Sequence, residues 1–447
     1  MSGLAPIVLI TWTVFSISLF FVTSPRRAVI ISVFGGVLLL PIYTMDFQGF
    51  PELDKNKIIA MGIFLGGLLA GSQKEIPLQL KKHDMPMVFW CFVIPMATAL
   101  SNRLGVYYGL SAIAENFLGW GIFYWAGRKY FGTAASMRTL TRAFLFGGLI
   151  YIPLIFFEIR MSPRLHRMIY GFFAHEWRQH FRYGGYRPIV FMEHGLMVAL
   201  FMAACTVIAF WLWRNKSLFQ IGRIPMSLFT VTLIAAAILC RSANGWAFLT
   251  IGITLYFSYS RSSSPKIIKL LLLAVPIYIV LRITNTVSAE LVQSIADVFF
   301  DDERVASLSL RLWQEDLFTV RALERPFFGW GGFGRAWPID SATGEELIPM
   351  VDPLWVILLG WHGFFGLISV FMAVGIGPWG LLKSTRENDE FLIDTVVLCL
   401  ITVFFMLDSL VNAMINPVFI LTAGALLSRY LERRQASQVI GEKQNSA

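Results

Sequence analysis

Ile189-Val-Phe-Met-Glu-His-Gly-Leu-Met-Val-Ala-Leu-Phe-Met-Ala-Ala-Cys-Thr-Val-Ile-Ala-Phe-Trp-Leu-Trp213 carries one acid near its start and is otherwise almost wholly apolar. A helix needs ~20 such residues to cross a bilayer, and this run exceeds that. The same rule places about thirteen spans, at 4 to 23, 28 to 45, 57 to 72, 85 to 101, 105 to 126, 142 to 158, 189 to 213, 224 to 240, 245 to 260, 267 to 287, 353 to 382, 391 to 409 and 413 to 430. The third and fourth are short enough to be tilted or re-entrant. The first begins almost at once and has no basic leader, so it reads as a retained span and not as a signal peptide.

Composition agrees with this reading. With 56% hydrophobic and 15% charged residues in 447, the chain reads as one all-α polytopic membrane domain over 1–447, and soluble folds are excluded. The net charge of +9 does not indicate nucleic acid, because the basic residues punctuate apolar spans instead of forming a stripe. Cys91, Cys205, Cys240 and Cys399 lie in or at the ends of apolar runs without metal-ligand spacing, so they read as small core residues.

Alternate loops differ in Lys and Arg content, and the richer set, with the tail bearing Arg429, Arg433, Arg434 and Lys443, is assigned to the cytoplasm. That leaves two long loops on the outer side, 158–188 and 288–352. Of the 16 basic residues on that side, 14 are Arg, Lys55 and Lys57 being the exceptions. A guanidinium grips phosphate with a planar fork of donors and keeps its charge beside hydrocarbon, whereas an ammonium hydrates strongly. The bias therefore points to a phosphorylated lipid.

In the first loop Leu165, Ile169, Phe173, Trp177 and Phe181 step by four, with Arg167, Arg178 and Arg182 on another face, which predicts an interfacial helix. Arg164, Arg167, Arg178 and Arg182 would then meet lipid headgroups. Arg187 stands apart, directly before Pro188 where the chain re-enters the membrane, with Glu193 and His194 two turns on; a cavity site or an Arg187–Glu193 ion pair both fit. In the second loop, residues 308 to 325 predict a helix that packs on the bundle through Leu310, Trp313, Leu317 and Val320. Arg311, Gln314, Phe318, Arg321 and Arg325 would form a cationic row on a neighbouring face, or Arg311 would pair locally with Glu315. The Asp301-Asp302-Glu303 cluster reads as a solvated turn.

Gly329-x-Gly331-x-x-Gly334 follows a helix and not a strand, so it is no dinucleotide fingerprint. Behind Pro326 these glycines predict a tight turn, with amides available to an anion. Glu115, an acid in mid-span, is a functional suspect by position alone.

Arg311-Leu-Trp313, then Pro326-Phe-Phe-Gly-Trp-Gly-Gly-Phe-Gly334, then Asp352-Pro-Leu-Trp355 running to Gly360-Trp-His-Gly363-Phe-Phe-Gly366, all in and after one large loop, resemble the O-antigen polymerase and O-antigen ligase superfamily of bacterial envelope glycosyltransferases. Tyr186-Arg187-Pro188 and Arg241-Ser242-Ala-Asn-Gly245 are similar to shorter motifs of that family, and the first 150 residues add only hydropathy. The resemblance implies a GT-C-like membrane fold in the bacterial inner membrane with both long loops periplasmic and the active-site helix in 288–352. It also implies an undecaprenyl diphosphate-linked glycan donor, a glycan acceptor and no cofactor or metal. Polymerisation of repeat units stands ahead of ligation to a lipid A-core acceptor. A chain-length co-polymerase at the cytoplasmic tail is left open.

Departure of a lipid diphosphate develops negative charge beside hydrocarbon, where fixed guanidiniums stabilise it strongly. Arg187 and Arg311 lead for that role, and Arg160, Arg241 and Arg321 are candidates to complete the cluster. The acceptor hydroxyl needs a base, for which Asp352, Glu193 and His194 are candidates. Many ligases of the family have His-Asn where this chain has Asp352-Pro353, and Asp352 also suits a helix cap. His362 reads as a buried, satisfied histidine, and Asp408, Asn412 and Asn416 as sugar-hydroxyl or helix-end groups. Two rivals remain: a lipid-linked oligosaccharide flippase, whose charges would line a central cavity, and a non-enzymatic envelope assembly partner, indifferent to loss of Arg187 or Arg311.

Overall fold

Where side chains offer the backbone no polar partners, its N–H and C=O groups must satisfy one another, and helix does so locally. The computed structural model follows that rule; it describes all residues except 1–2, 48, 50, 72–78, 175–179, 300–301, 341–342, 345, 348–350, 384–391 and 446–447. Its helices are α1 (Leu4–Val22), α2 (25–39), α3 (Lys55–Leu69), α4 (Lys82–Ser101), α5 (106–130), α6 (Ala134–Met161), α7 (Leu165–Tyr170) and α8 (Gly195–Arg214). They continue with α9 (Met226–Leu239), α10 (Ala243–Ser262), α11 (Lys266–Ile283), α12 (Ala289–Phe299), α13 (Asp302–Leu323), α14 (Leu354–Lys383), α15 (Leu392–Asp408) and α16 (Pro417–Asn445). Among the described residues, strands are confined to two hairpins, Phe181–Arg182 with Gly185–Tyr186 and Gln220–Ile221 with Ile224–Pro225.

Among the described residues five helices, α1, α4, α6, α8 and α14, are long and apolar enough to cross a membrane. They are not equivalent: 94% of the apolar window of α8 is buried against 28% for α1, so α8 forms the centre and α1 the rim. Ile7, Val14 and Val22 of α1 are more than half exposed, as suits a helix facing hydrocarbon. Beside α8, α15 is buried along nearly its whole length. Against α5, α16 approaches so closely that a Cβ on Gly127 would collide with the Leu421 carbonyl, and one on Gly424 with the Tyr124 carbonyl. Small residues let backbones meet in this way. The four cysteines are buried and free, as expected.

The faces of α13 differ from expectation. Leu310, Trp313 and Val320 are exposed, whereas Leu312, Glu315, Phe318, Thr319 and Ala322 are buried, with Phe318 against Trp337 and the Gly360 backbone of α14. The cause is Arg282 at the end of α11, whose Nε donates to Glu315 at 2.5 Å and whose Nη2 donates to Asp316 at 2.6 Å. A cation on a neighbouring helix thus draws the acidic side of α13 inward. This also removes the local Arg311–Glu315 pair. The cationic row is likewise broken, since Phe318 lies in the core and Arg325 beyond the helix end.

The interfacial helix of the first loop shrinks to α7. Gly171, at φ +84°, ends it in the left-handed region. Leu165 is buried, Ile169 and Phe173 are exposed, and Phe181 belongs to a hairpin, so the four-residue stripe does not lie on one helix. Trp177 and Arg178, with the side chains of Asp301, Asp302 and Glu303, lie outside the described residues.

The glycine motif forms a tight turn, with Gly329, Gly331 and Gly334 at φ +66°, +84° and +76°. Four of its amides are already engaged within the fold and so are not free for an anion. Gly329 N donates to Arg325 O at 3.0 Å, Trp330 N to Gly360 O at 2.8 Å, Gly331 N to Trp361 O at 3.0 Å and Gly332 N to the Tyr108 hydroxyl at 2.6 Å. In return Phe364 N donates to Pro326 O at 2.6 Å, and α14 breaks at Gly363, φ +64°, to make this exchange. The motif therefore splices the loop into α14. His362, beside the break, is buried edge-on to Trp90 with Nδ1 3.4 Å from the Thr98 hydroxyl, as expected of a satisfied core histidine.

Candidate functional site

Arg187 leaves the Phe181–Tyr186 hairpin with its amide donating to His180 O at 2.7 Å. Its side chain is only 3% exposed and lies across Gly195, the first residue of α8, where a Cβ would stand 2.5 Å from Nε and 2.8 Å from Cδ. Only glycine leaves room for the guanidinium at that helix end. No side-chain partner for Arg187 is present among the described residues, and its buried Nε is unsatisfied. The expected Arg187–Glu193 ion pair is absent: the Glu193 carboxylate accepts from Asn56 Nδ2 at 3.1 Å and lies in the field of Lys55 and Asp54. His194 instead caps α8, its Nδ1 accepting from Leu196 N at 3.2 Å.

A helix N-terminus carries partial positive charge, so α8 repels the cation it holds. Burial first, then the positive charges of Arg182 and Arg311, opposed by Cys240 and Tyr183, bring the Arg187 guanidinium down to about 10. Arg311, more than a hundred residues further along the chain, thus acts on the same guanidinium as the neighbouring Arg182. Arg311 reaches it from α13, its Nε donating to Asp352 Oδ2 at 2.9 Å, with both side chains about one third exposed. Asp352 stands two residues before α14, whose first amide, Leu354 N, donates to Asn412 O at 3.3 Å. At that corner Asp408 is buried, accepting from Asn412 Nδ2 at 2.8 Å and Asn244 Nδ2 at 3.2 Å, within the field of Arg311. Asn416 Oδ1 accepts from Val418 N at 3.1 Å, a helix-end role, while Asn416 Nδ2 and Asn412 Oδ1 remain unsatisfied.

No protein-family model matches this sequence, and no curated protein matches it. What the site can do must therefore be read from its chemistry. Its contents are a buried guanidinium without a counter-ion among the described residues, a second guanidinium on a partly exposed carboxylate, and a buried carboxylate held by two amides.

The other candidates are placed elsewhere or used differently. Arg241, at φ +51°, donates through Nη1 to the carbonyls of Arg182 and Tyr183, so it secures the hairpin turn before Arg187. Arg321 stacks 3.6 Å above the Trp330 ring and pairs with Glu324, and Arg325 covers the same ring at 4.5 Å while donating to Asn102. Arg160 is exposed in the last turn of α6, with no hydrogen bond or ion pair to the cluster. Lys55 and Lys57 are buried, and Lys57 Nζ lies 2.6 Å from Glu115, which supplies the partner for that acid. Glu115 stood out in the sequence as an acid in mid-span, but its pairing with Lys57 did not, because the two lie on different helices.

Proposed function

We propose that this chain is a membrane glycosyltransferase of the O-antigen polymerase and ligase type, acting at the periplasmic face of the bacterial inner membrane. Its donor is an undecaprenyl diphosphate-linked oligosaccharide and its acceptor a second glycan. The reading rests on Arg187: 3% exposed, without a side-chain partner among the described residues, and pressed on by Arg182 and Arg311. Burying an uncompensated charge costs several kcal/mol, so such a group points to an anion supplied from outside. A diphosphate offers oxygens to two forks at once.

In the reaction the acceptor hydroxyl oxygen attacks the anomeric carbon of the donor sugar. The bond from that carbon to the phosphate oxygen breaks, and the lipid diphosphate leaves with the electron pair toward Arg187 and Arg311. As phosphate draws Arg311 away, the Asp352 carboxylate, about one third exposed, is released to take the hydroxyl proton. Of the three candidate bases, Asp352 is the one joined to an arginine of the cluster. The polar corner of Asp408, Asn412 and Asn244 supports a role for this end of the bundle in holding sugar hydroxyls.

Purified protein reconstituted with undecaprenyl diphosphate oligosaccharide is the test, with released lipid diphosphate and product length as readouts. A ladder of products identifies a polymerase, and single transfer to a separate acceptor a ligase. Arg187→Ala and Arg311→Ala are each expected to lose more than about tenfold in rate, on the order of 2 kcal/mol of transition-state stabilisation. Wild-type turnover in both variants refutes the assignment.

A further inference from the structure

Between the hairpin and α8 the strap 187–194 has neither helix nor strand, yet Ile189, Val190, Phe191 and Met192 are all buried. Buried backbone groups without secondary structure need other partners. Two buried ionic side chains from other helices supply them. Glu158, in the last turn of α6 and 1% exposed, accepts from Ile189 N at 2.9 Å and Val190 N at 2.8 Å through Oε2, and from Leu165 N at 3.2 Å through Oε1. Lys55, at the start of α3 and 2% exposed, donates from Nζ to Phe191 O at 2.8 Å. Val190 sits at φ +56°, a region costly for a β-branched residue and kept only where surroundings enforce it.

We propose that Glu158 and Lys55 are positioning residues: together they clamp the strap from two sides and so hold the Arg187 guanidinium over Gly195, ready for phosphate oxygens. The role rests on the anion-site reading above. Glu158 bonds the backbone amides of Ile189 and Val190, two and three residues beyond Arg187, so its hold on Arg187 runs through the backbone. Its carboxylate is matched to the task, since one oxygen meets two amides and the other meets a third. In Glu158→Gln one of those oxygens becomes a donor, and either amide rotamer leaves at least one backbone N–H facing another donor. Lys55→Met removes the opposite jaw and leaves the Phe191 carbonyl without its partner.

The experiment uses the full chain in lipid nanodiscs, with inorganic pyrophosphate titrated by calorimetry and amide exchange followed over 187–194 and over α8. Glu158→Gln is expected to weaken pyrophosphate binding at least tenfold and to speed exchange at Ile189 and Val190 at least tenfold, while α8 stays protected. Lys55→Met should weaken binding at least threefold. If both variants bind as the wild type does while Arg187→Ala binds nothing, the clamp is wrong and the anion site stands. A lowered melting temperature with unchanged affinity in the folded protein also overturns it, because a merely structural role predicts that result. If the wild type ignores pyrophosphate, or Arg187→Ala binds it equally well, the anion reading falls and the positioning role falls with it. Should Glu158→Gln fail to fold, Lys55→Met decides alone, and unchanged affinity there overturns the proposal.

Discussion

Arg128 and Arg187 are buried to nearly the same degree, 7% and 3% exposed, but are surrounded in opposite ways. Arg128 donates through Nε and Nη2 to the two carboxylate oxygens of Asp84 at 2.6 and 2.9 Å, and the Tyr124 hydroxyl approaches Asp84 from the side. Arg187 has no carboxylate partner among the described residues, a helix N-terminus beneath it and two arginines acting on it. A buried arginine locked by its own counter-ion belongs to the fold. One left without a counter-ion is kept against the interest of the fold, and that is the mark of a binding site.

The comparison breaks most visibly in stability. Arg128→Met strands the Asp84 carboxylate, which has no exposure of its own, and should destabilise by about 3–5 kcal/mol in denaturant titration. Arg187→Met should do the reverse. Its folded-state value, brought down to about 10, lies below the ordinary guanidinium range, so at neutral pH both folded and unfolded guanidiniums are charged and the folded state carries the full penalty, on the order of 3 kcal/mol. The wild type should therefore gain on Arg187→Met only as pH rises above about 10, the difference between the two proteins isolating this group from the lysines and tyrosines that titrate in both. A melting curve for Arg187→Met below that of the wild type at pH 7 would contradict the contrast.

Asp352→Asn sharpens the distinction at a more exposed pair. Because Arg311 and Asp352 are each about one third open to solvent, loss of the pair should change stability by less than about 1 kcal/mol. Transfer should nonetheless drop more than about tenfold, from loss of the proton acceptor. The smallest effect belongs to Arg321→Ala, which removes a stacking contact on Trp330 worth about 0.5–1 kcal/mol. Its transfer rate should stay within about twofold of wild type, since Arg321 is occupied away from the cluster.

The helices were legible because hydropathy reports what the backbone must do in the absence of polar partners; α8, the centre of the bundle, lies within the most evident apolar run. Arg187 and Arg311 stood out through residue type and position. Their shared environment did not, because Arg311 arrives on α13, which packs on α14, from more than a hundred residues away in sequence. Periodicity misled on α13, where Leu310, Trp313 and Val320 look like a core stripe but Arg282 draws Glu315 and Asp316 inward. In the first loop Gly171 ended a helix whose four-residue spacing invited continuation. Glu158 passed unnoticed as an ordinary helix-end acid, although it holds three backbone amides.

The most direct measurement is thermal unfolding of wild type and Arg187→Met at pH 7, each with and without millimolar pyrophosphate. Wild type should melt lower than the variant without ligand and rise when pyrophosphate is added, because a ligand bound only by the folded state stabilises it. Arg187→Met should melt higher and ignore the anion. A wild type indifferent to pyrophosphate, or a variant that melts lower and still responds, contradicts the claim that Arg187 is held unpaired to receive phosphate.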